Sequence, residues 1–133
     1  MSIDAKRLRE AGAELGKATD EMNALIAEIE SIVRGWKLGV RCEISMRVNE
    51  AWSGDLAFGK LNDEWCFIFV NVKGEETPLL RASREIRMRS VEHIEPLIRA
   101  LIAEAKDQVV RVKDATAKVR DLIIQLTVFP AEE

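Results

Sequence analysis

Few residues in this chain have the types and spacing that catalysis or metal binding requires. His93 is the one histidine among 133 residues, and no local motif gives it a serine or cysteine partner. The two cysteines, Cys42 and Cys66, are too few for a disulfide-rich scaffold or a zinc site built from cysteines. No glycine-rich loop that could hold phosphate is present. We therefore predict no catalytic, cofactor-binding or metal-binding residues and no enzymatic activity.

A basic segment is the first of two features that indicate binding instead. Four arginines fall within nine residues, and only one acidic residue, Glu85, lies among them. The four are Arg81, Arg84, Arg87 and Arg89. Guanidinium groups form paired hydrogen bonds with carboxylates and phosphates, so the segment could contact nucleic acid or an acidic partner. The other interpretation is a solvated face that pairs with acidic helices of the chain itself.

The second feature is an aromatic stripe on one face of a predicted strand, formed by Trp65, Phe67 and Phe69. Aromatic rings beside basic side chains can stack on nucleic-acid bases. The same alternation is also typical of a core strand, and both the core and the interface interpretation stay open. The stripe and the basic segment together are the predicted partner-binding residues.

The composition is that of one globular domain spanning residues 1–133. Apolar residues make up 47% of the chain and charged residues 32%, with a formal net charge of −3. Because the chain has no basic excess, nucleic acid is a less favoured partner than protein. No apolar run approaches the roughly 18 residues of a membrane span, and the first residues do not form a secretory signal. We expect a cytoplasmic protein that does not bind membranes.

Heptad spacing of apolar residues predicts a long helix at each end of the chain. The repeat runs in alternating steps of three and four through both terminal segments. The residues assigned to its seam include Leu8, Leu15, Met22, Val112, Val119 and Leu122. We predict helices over residues 3–36 and 83–128, the second kinked at Pro96. A short strand is the alternative for residues 83–90, and an ordinary amphipathic helix is the alternative for each heptad segment.

An alternation of period two predicts a sheet between the helices. Strand signals occur in residues 40–48, 51–61 and 65–72, and short turns between them favour an antiparallel meander over residues 40–72. Residues 73–82 are predicted to be a loop. The third strand is apolar on both faces, so each face must be covered. The predicted fold class is α+β, with the element order α-β-β-β-α.

Helix length predicts how these helices associate. At 1.5 Å per residue the helical stretches from Leu8 to Trp36 and from Leu97 to Val128 measure about 44 and 48 Å, whereas a globule of this chain length is roughly 36 Å across. The helices must therefore bury apolar residues beyond the sheet. We expect them to pair antiparallel as in a coiled coil, with facing residue numbers that sum to 130 or 137. A second copy would cover the remaining apolar surface in a homodimer.

This layout resembles that of prefoldin-type chaperones, in which β-hairpins join terminal coiled-coil helices. The resemblance is one of layout, and it implies a chaperone-like role. We therefore predict a non-enzymatic homodimeric interaction module, an adaptor or chaperone-like protein whose partners are itself and another protein. The alternatives are a binder of nucleic acid or an acidic partner through residues 81–89, and a small-ligand binder or enzyme that uses a pocket between the sheet and the helices.

Overall fold

The computed structural model describes residues 3–49 and 52–128 as an α+β protein. Its elements, in chain order, are helix α1 (Ala5–Gly35), strands β1 (Cys42–Asn49), β2 (Trp52–Leu61), β3 (Glu64–Val70) and β4 (Glu76–Pro78), a 3-10 helix (Leu79–Arg81) and helix α2 (Arg84–Val128). The four strands form one antiparallel sheet in the order β1-β2-β3-β4. The predicted α+β class is confirmed.

The sheet has four strands where we predicted three. β4 lies inside the predicted loop 73–82 and pairs with the end of β3, so that Pro78 faces Ile68. A tight turn makes this pairing possible, because the Asn71 side chain accepts hydrogen bonds from two backbone amides of the turn. A strand of three residues that ends in proline shows no alternation, so the sequence pattern could not reveal β4.

Side chains that accept backbone hydrogen bonds mark where both helices begin. Asp4 accepts from the Arg7 amide at the start of α1, and Ser83 accepts from the Ile86 amide at the start of α2. α2 then continues as one helix through Pro96 to Val128. The helical interpretation of the segment that follows Ser83 is therefore correct.

The main core lies between one face of the sheet and both helices. The sheet contributes the fully buried Leu56 and Phe67, α1 contributes Val33, and α2 contributes Leu97 and Leu101. Burying each such side chain stabilises the fold by about 1.5–3 kcal/mol. The sheet and the two helices therefore form one packed unit.

The opposite face of the sheet is covered by side chains of the sheet itself. A small cluster is buried there, formed by Ala57, Cys66, Ile68 and Val70. The Arg41 side chain lies over Gly59, where an added Cβ would come within 3.0 Å of it, and forms ion pairs with Glu43 and Glu76. Arg41 precedes β1 and Glu76 belongs to β4, so their ion pair joins the two edges of the sheet. Both faces of β3 are thus covered within one chain.

Contacts with β3 define the direction of α1. The Glu30 carboxylate accepts a hydrogen bond from the Phe67 amide, and Arg34, one turn later, donates to the Trp65 carbonyl. α1 therefore runs toward the end of the sheet where β3 begins. The first half of α1 leaves the sheet at the opposite end.

α2 runs in the same direction as α1. The Cys42 thiol, at the start of β1, donates to the Ala100 carbonyl at 3.5 Å, and the next turns of α2 border Leu38, which follows α1. β1 and β3 begin at the same end of the antiparallel sheet. The last half of α2 therefore leaves the sheet at this end, away from the first half of α1.

The structure does not confirm the predicted antiparallel pairing of the helices within one chain. In the first predicted register Leu8 would face Leu122, yet these residues are 67% and 55% exposed. The prediction assumed that the meander returns the chain to the end where α1 stops. Because β1, β2 and β3 are odd in number, they carry the chain to the opposite end, and α2 runs back over the sheet in the direction of α1. The resemblance to prefoldin-type chaperones rested on this pairing and loses its support.

Gly54 in β2 is a position where the packing leaves no room for a side chain. A Cβ there would lie 2.5 Å from Phe69 Cε1 and 2.9 Å from the Val70 carbonyl oxygen. We predict that Gly54→Ala lowers the free energy of unfolding by about 1–3 kcal/mol, measured by urea denaturation, because the core would be overpacked. Gly12→Ala is the control: no atom lies within 4 Å of its Cβ, and the change should stabilise α1 by up to about 1 kcal/mol. An unchanged midpoint for Gly54→Ala would contradict this packing.

Candidate interaction surfaces

Half of each helix lies beyond the sheet. Every residue in 5–18 of α1 and in 109–128 of α2 is exposed, and we call these segments the free half of α1 and the free half of α2. Buried side chains begin at Ile26 in α1 and end at Leu101 in α2. Beyond Leu101, α2 continues for about 40 Å at 1.5 Å per residue. The sheet of the same chain cannot cover these segments.

The free halves carry most of the predicted seam. Met22 is half-buried against the core, and the other five seam residues are exposed: Leu8, Leu15, Val112, Val119 and Leu122. Val109, Ile123 and Leu126 extend the exposed apolar stripe of α2. Monomeric proteins rarely expose continuous apolar patches larger than a few hundred Å². These two stripes are the strongest candidate interaction surface in the described part of the chain.

The four arginines of the basic segment do not form one surface. Arg81 ends the 3-10 helix and Arg84 begins α2, and both are exposed without an ion pair to any residue that the structure describes. Arg87 is half-buried and donates to a backbone carbonyl of the 3-10 helix, while Arg89 pairs with Glu85. Two guanidinium groups, rather than four, remain available to an acidic partner. Binding of such a partner stays a prediction.

The aromatic stripe belongs mainly to the core. Phe67 is fully buried and Phe69 nearly so, because both helices cover this face of the sheet. Trp65 is half-buried, and its ring stacks on Phe58 with 5.9 Å between the ring centroids. The core interpretation is therefore correct for Phe67 and Phe69. Of the three aromatic residues, Trp65 alone reaches the surface.

A cavity of about 290 Å³ lies beside Trp65, at the end of α1. Its walls are mainly apolar, and Arg34 and Lys37 also line it. Arg34 is already engaged, because its guanidinium pairs with Glu30 and Glu64. Small-molecule sites combine apolar walls with a few converging polar groups that are free to bind. Of the two charged side chains that line the cavity, Lys37 alone has no ion pair within the described residues, so the cavity lacks a converging set of such groups.

α1 closes part of the open edge of β3. β4 pairs only with the last three residues of β3, which leaves the Trp65 carbonyl and the Phe67 amide without a strand partner. Glu30 Oε2 accepts from the Phe67 amide at 3.0 Å, and Arg34 Nε donates to the Trp65 carbonyl at 2.9 Å. Two side chains thus occupy backbone groups that could otherwise pair with a strand of another chain.

Burial raises the pKa of Glu30, although the Phe67 amide and Arg34 favour its charged form. Burial also raises the pKa of the Cys66 thiol to about 11, and it raises the pKa of the Cys42 thiol. Both thiols are therefore protonated near neutral pH, and neither is suited to thiolate chemistry. The cysteines act as small apolar side chains.

Known proteins offer no further guide to this chain. No match is found among protein-family models, curated proteins or solved structures. Within residues 3–49 and 52–128, no three His, Cys, Asp or Glu side chains lie close enough together to hold a metal ion. Among the helices of those ranges, none is both long enough and apolar enough to cross a membrane.

Sequence reasoning missed the structural role of Glu30 and Arg34. Opposite charges four residues apart on a helix are typical of a solvated ion pair. One signal could have shown otherwise: Glu30 lies between Ile26 and Val33 on one helical face, and both of these residues are buried. A carboxylate on such a face must be buried with it and needs hydrogen-bond donors.

Replacing Glu30 tests this buried carboxylate. The pKa of Glu30 in the folded state lies above the ordinary value of 4.5. Between 4.5 and that raised pKa the folded state binds more protons than the unfolded state, so the wild type loses stability as pH rises through this window. We predict that Glu30→Gln gains stability relative to the wild type as pH rises through the window, and that the gain stays constant above it. Urea unfolding of both proteins over a pH series measures this difference. Glu28→Gln, at an exposed carboxyl of the same helix, is the control, and a difference for Glu30→Gln that falls with pH would contradict the account.

Proposed function

We propose that this protein is a non-enzymatic homodimeric interaction module of the cytoplasm, with the role of an adaptor. The exposed apolar stripes on the free halves of α1 and α2 carry this proposal. They follow the heptad pattern that is typical of helices packed against other helices. The sheet, in contrast, is covered on both faces by side chains of its own chain.

Helix stability supports association through the free halves. Isolated helices shorter than about 12–15 residues are marginal in water, and most helix stability in proteins comes from packing an apolar face. The free halves have apolar faces that nothing within the described chain packs. A partner helix on each face would supply that packing.

The proposal of a non-enzymatic role follows from how the reactive groups are held. Nδ1 of His93 lies 3.1 Å from the Arg89 carbonyl of its own helix, and both thiols are protonated. The one carboxylate with a clearly raised pKa, among the described residues, is Glu30, and it is hydrogen-bonded to the edge of β3. Each of these groups has a structural contact instead of a reactive neighbour.

Sedimentation at micromolar concentration tests the homodimer. We predict that the wild type has twice the mass of one chain, and that Val119→Asp weakens association at least about tenfold because a carboxylate would be buried in the contact. Ala117→Asp places the same charge on the opposite face of the free half of α2 and should leave the dimer intact. Both positions are exposed, so circular dichroism should show the same fold for both variants. A wild-type monomer, or equal weakening by both variants, would contradict the proposal.

A further inference from the structure

We propose that the dimer forms by reciprocal helix pairing in trans: the free half of α1 of each chain packs antiparallel on the free half of α2 of the second copy. This inference rests on the proposed homodimer and adds the arrangement of its helices. The two contacts are equivalent, as a two-fold axis requires.

The directions of the helices allow this arrangement with a single rotation. α1 and α2 run the same way, and their free halves leave the sheet at opposite ends. A two-fold axis perpendicular to the helices reverses the direction of the second copy. Its free half of α1 then lies antiparallel beside the free half of α2 of the first chain, and the same rotation forms the second pair. All four free halves gain a partner.

Side-chain sizes along the two free halves are complementary. When facing residue numbers sum to 130, Ala11 faces Val119 and Ala18 faces Val112. When they sum to 137, Ala18 faces Val119 and Leu15 faces Leu122. In both registers each alanine of one helix meets a larger residue of the other, so the helices can keep a constant separation. The sequence predicts these two registers for pairing within one chain. The same two registers can also form between two chains.

Charges beside the stripes favour pairing of α1 with α2. Glu14 and Glu21 lie seven residues apart beside the α1 stripe, and Arg111 and Lys118 hold the equivalent heptad position in α2; all four are exposed. Arg111 already pairs with Asp107 of its own helix at 3.1 Å, so Lys118, which has no ion pair within the described residues, is the cation available to a second copy. In an antiparallel pair these positions face each other. Pairing α1 with α2 brings Glu14 to Lys118 and Glu21 to Arg111 in the first register, and Glu21 to Lys118 in the second. Antiparallel pairing of two identical helices would bring like charges together, which destabilises the contact.

A groove beside α2 is a binding site for α1 of the second copy. It has a volume of about 460 Å³ and lies between α2 and the segment that follows α1. Leu38, Val109 and Val112 give it apolar walls, and Lys37 and Lys113 add positive charge. In the first register Glu21 of the second copy falls opposite Val109. In the same register the α1 face that meets the groove presents Ala18, Glu21 and Leu25, so this face is apolar and carries one carboxylate beside the positive charge of the groove.

Disulfide trapping between two different variants tests the arrangement. One chain carries a cysteine in α1: Ala11→Cys tests the first register and Ala18→Cys tests the second. A second, tagged chain carries Val119→Cys in α2. Both chains also carry Cys42→Ser, and Cys66 can stay because it is buried. After mixing and mild oxidation, we expect a covalent pair that contains one chain of each kind, from at least one of the two mixtures. Ala13→Cys, on the opposite face of the free half of α1, is the control and should form no link with Val119→Cys.

The outcomes separate this inference from the proposed function. A sedimenting dimer that yields only links between identical variants, or no link in either mixture, overturns the pairing in trans and leaves the homodimer standing. A monomer in sedimentation overturns both. A covalent pair between the two different variants supports both.

A charge exchange gives a second measurement of the same pairing. Lys118→Glu should raise the dissociation constant of the dimer about threefold to tenfold, because it places a carboxylate beside Glu14 or Glu21. A second change should restore the wild-type dissociation constant: Glu14→Lys if the first register forms, or Glu21→Lys if the second register forms. A dimer that is unchanged or tighter with Lys118→Glu alone would contradict the pairing.

Discussion

The length of the sheet limits how much of each helix this chain can bury, and the rest of the structure depends on that limit. Strands of 7–10 residues span roughly 23–33 Å, whereas helices of 31 and 45 residues measure about 46 and 68 Å. The core between sheet and helices therefore ends at Ile26 in one helix and at Leu101 in the other. Because both helices run the same way, the uncovered halves lie at opposite ends, where they cannot cover each other. Within residues 3–49 and 52–128, no other segment covers their apolar stripes.

Charged side chains close the sheet in places where strands often associate. Glu30 and Arg34 hydrogen-bond to the unpaired part of the β3 edge, and the ion pair of Arg41 with Glu76 crosses the outer face. Natural sheets commonly use charged groups in this way to prevent association through their edges. In this protein the sheet packs against the two helices, and the exposed apolar surface lies on the free halves. The proposed dimer uses the part of the molecule that its own core does not need.

The sequence predicts the elements of this fold better than their arrangement. Periods of two and of three to four residues identify both helices and the three long strands, because these patterns reflect burial of one face. β4 escapes prediction because three residues that end in Pro78 show no period. The sequence does not predict the helix directions, because each direction depends on the end of the sheet at which the chain leaves it. Heptad spacing carries no such information. The sequence does not predict the buried role of Glu30, because its spacing to Arg34 is that of a solvated ion pair. Only the hydrogen bond from the Phe67 amide distinguishes Glu30 from such a pair.

Amide hydrogen exchange of the 133-residue chain tests the central claim most directly, namely that the free halves of the helices are stabilised by a second copy. A helix without tertiary contacts exchanges its amides quickly, whereas a packed helix is protected. The account predicts slow exchange in residues 5–18 and 109–128 at high protein concentration and faster exchange on dilution, while the core of the sheet stays protected throughout. Fast exchange in both segments at every concentration, or protection that does not change on dilution, would contradict it.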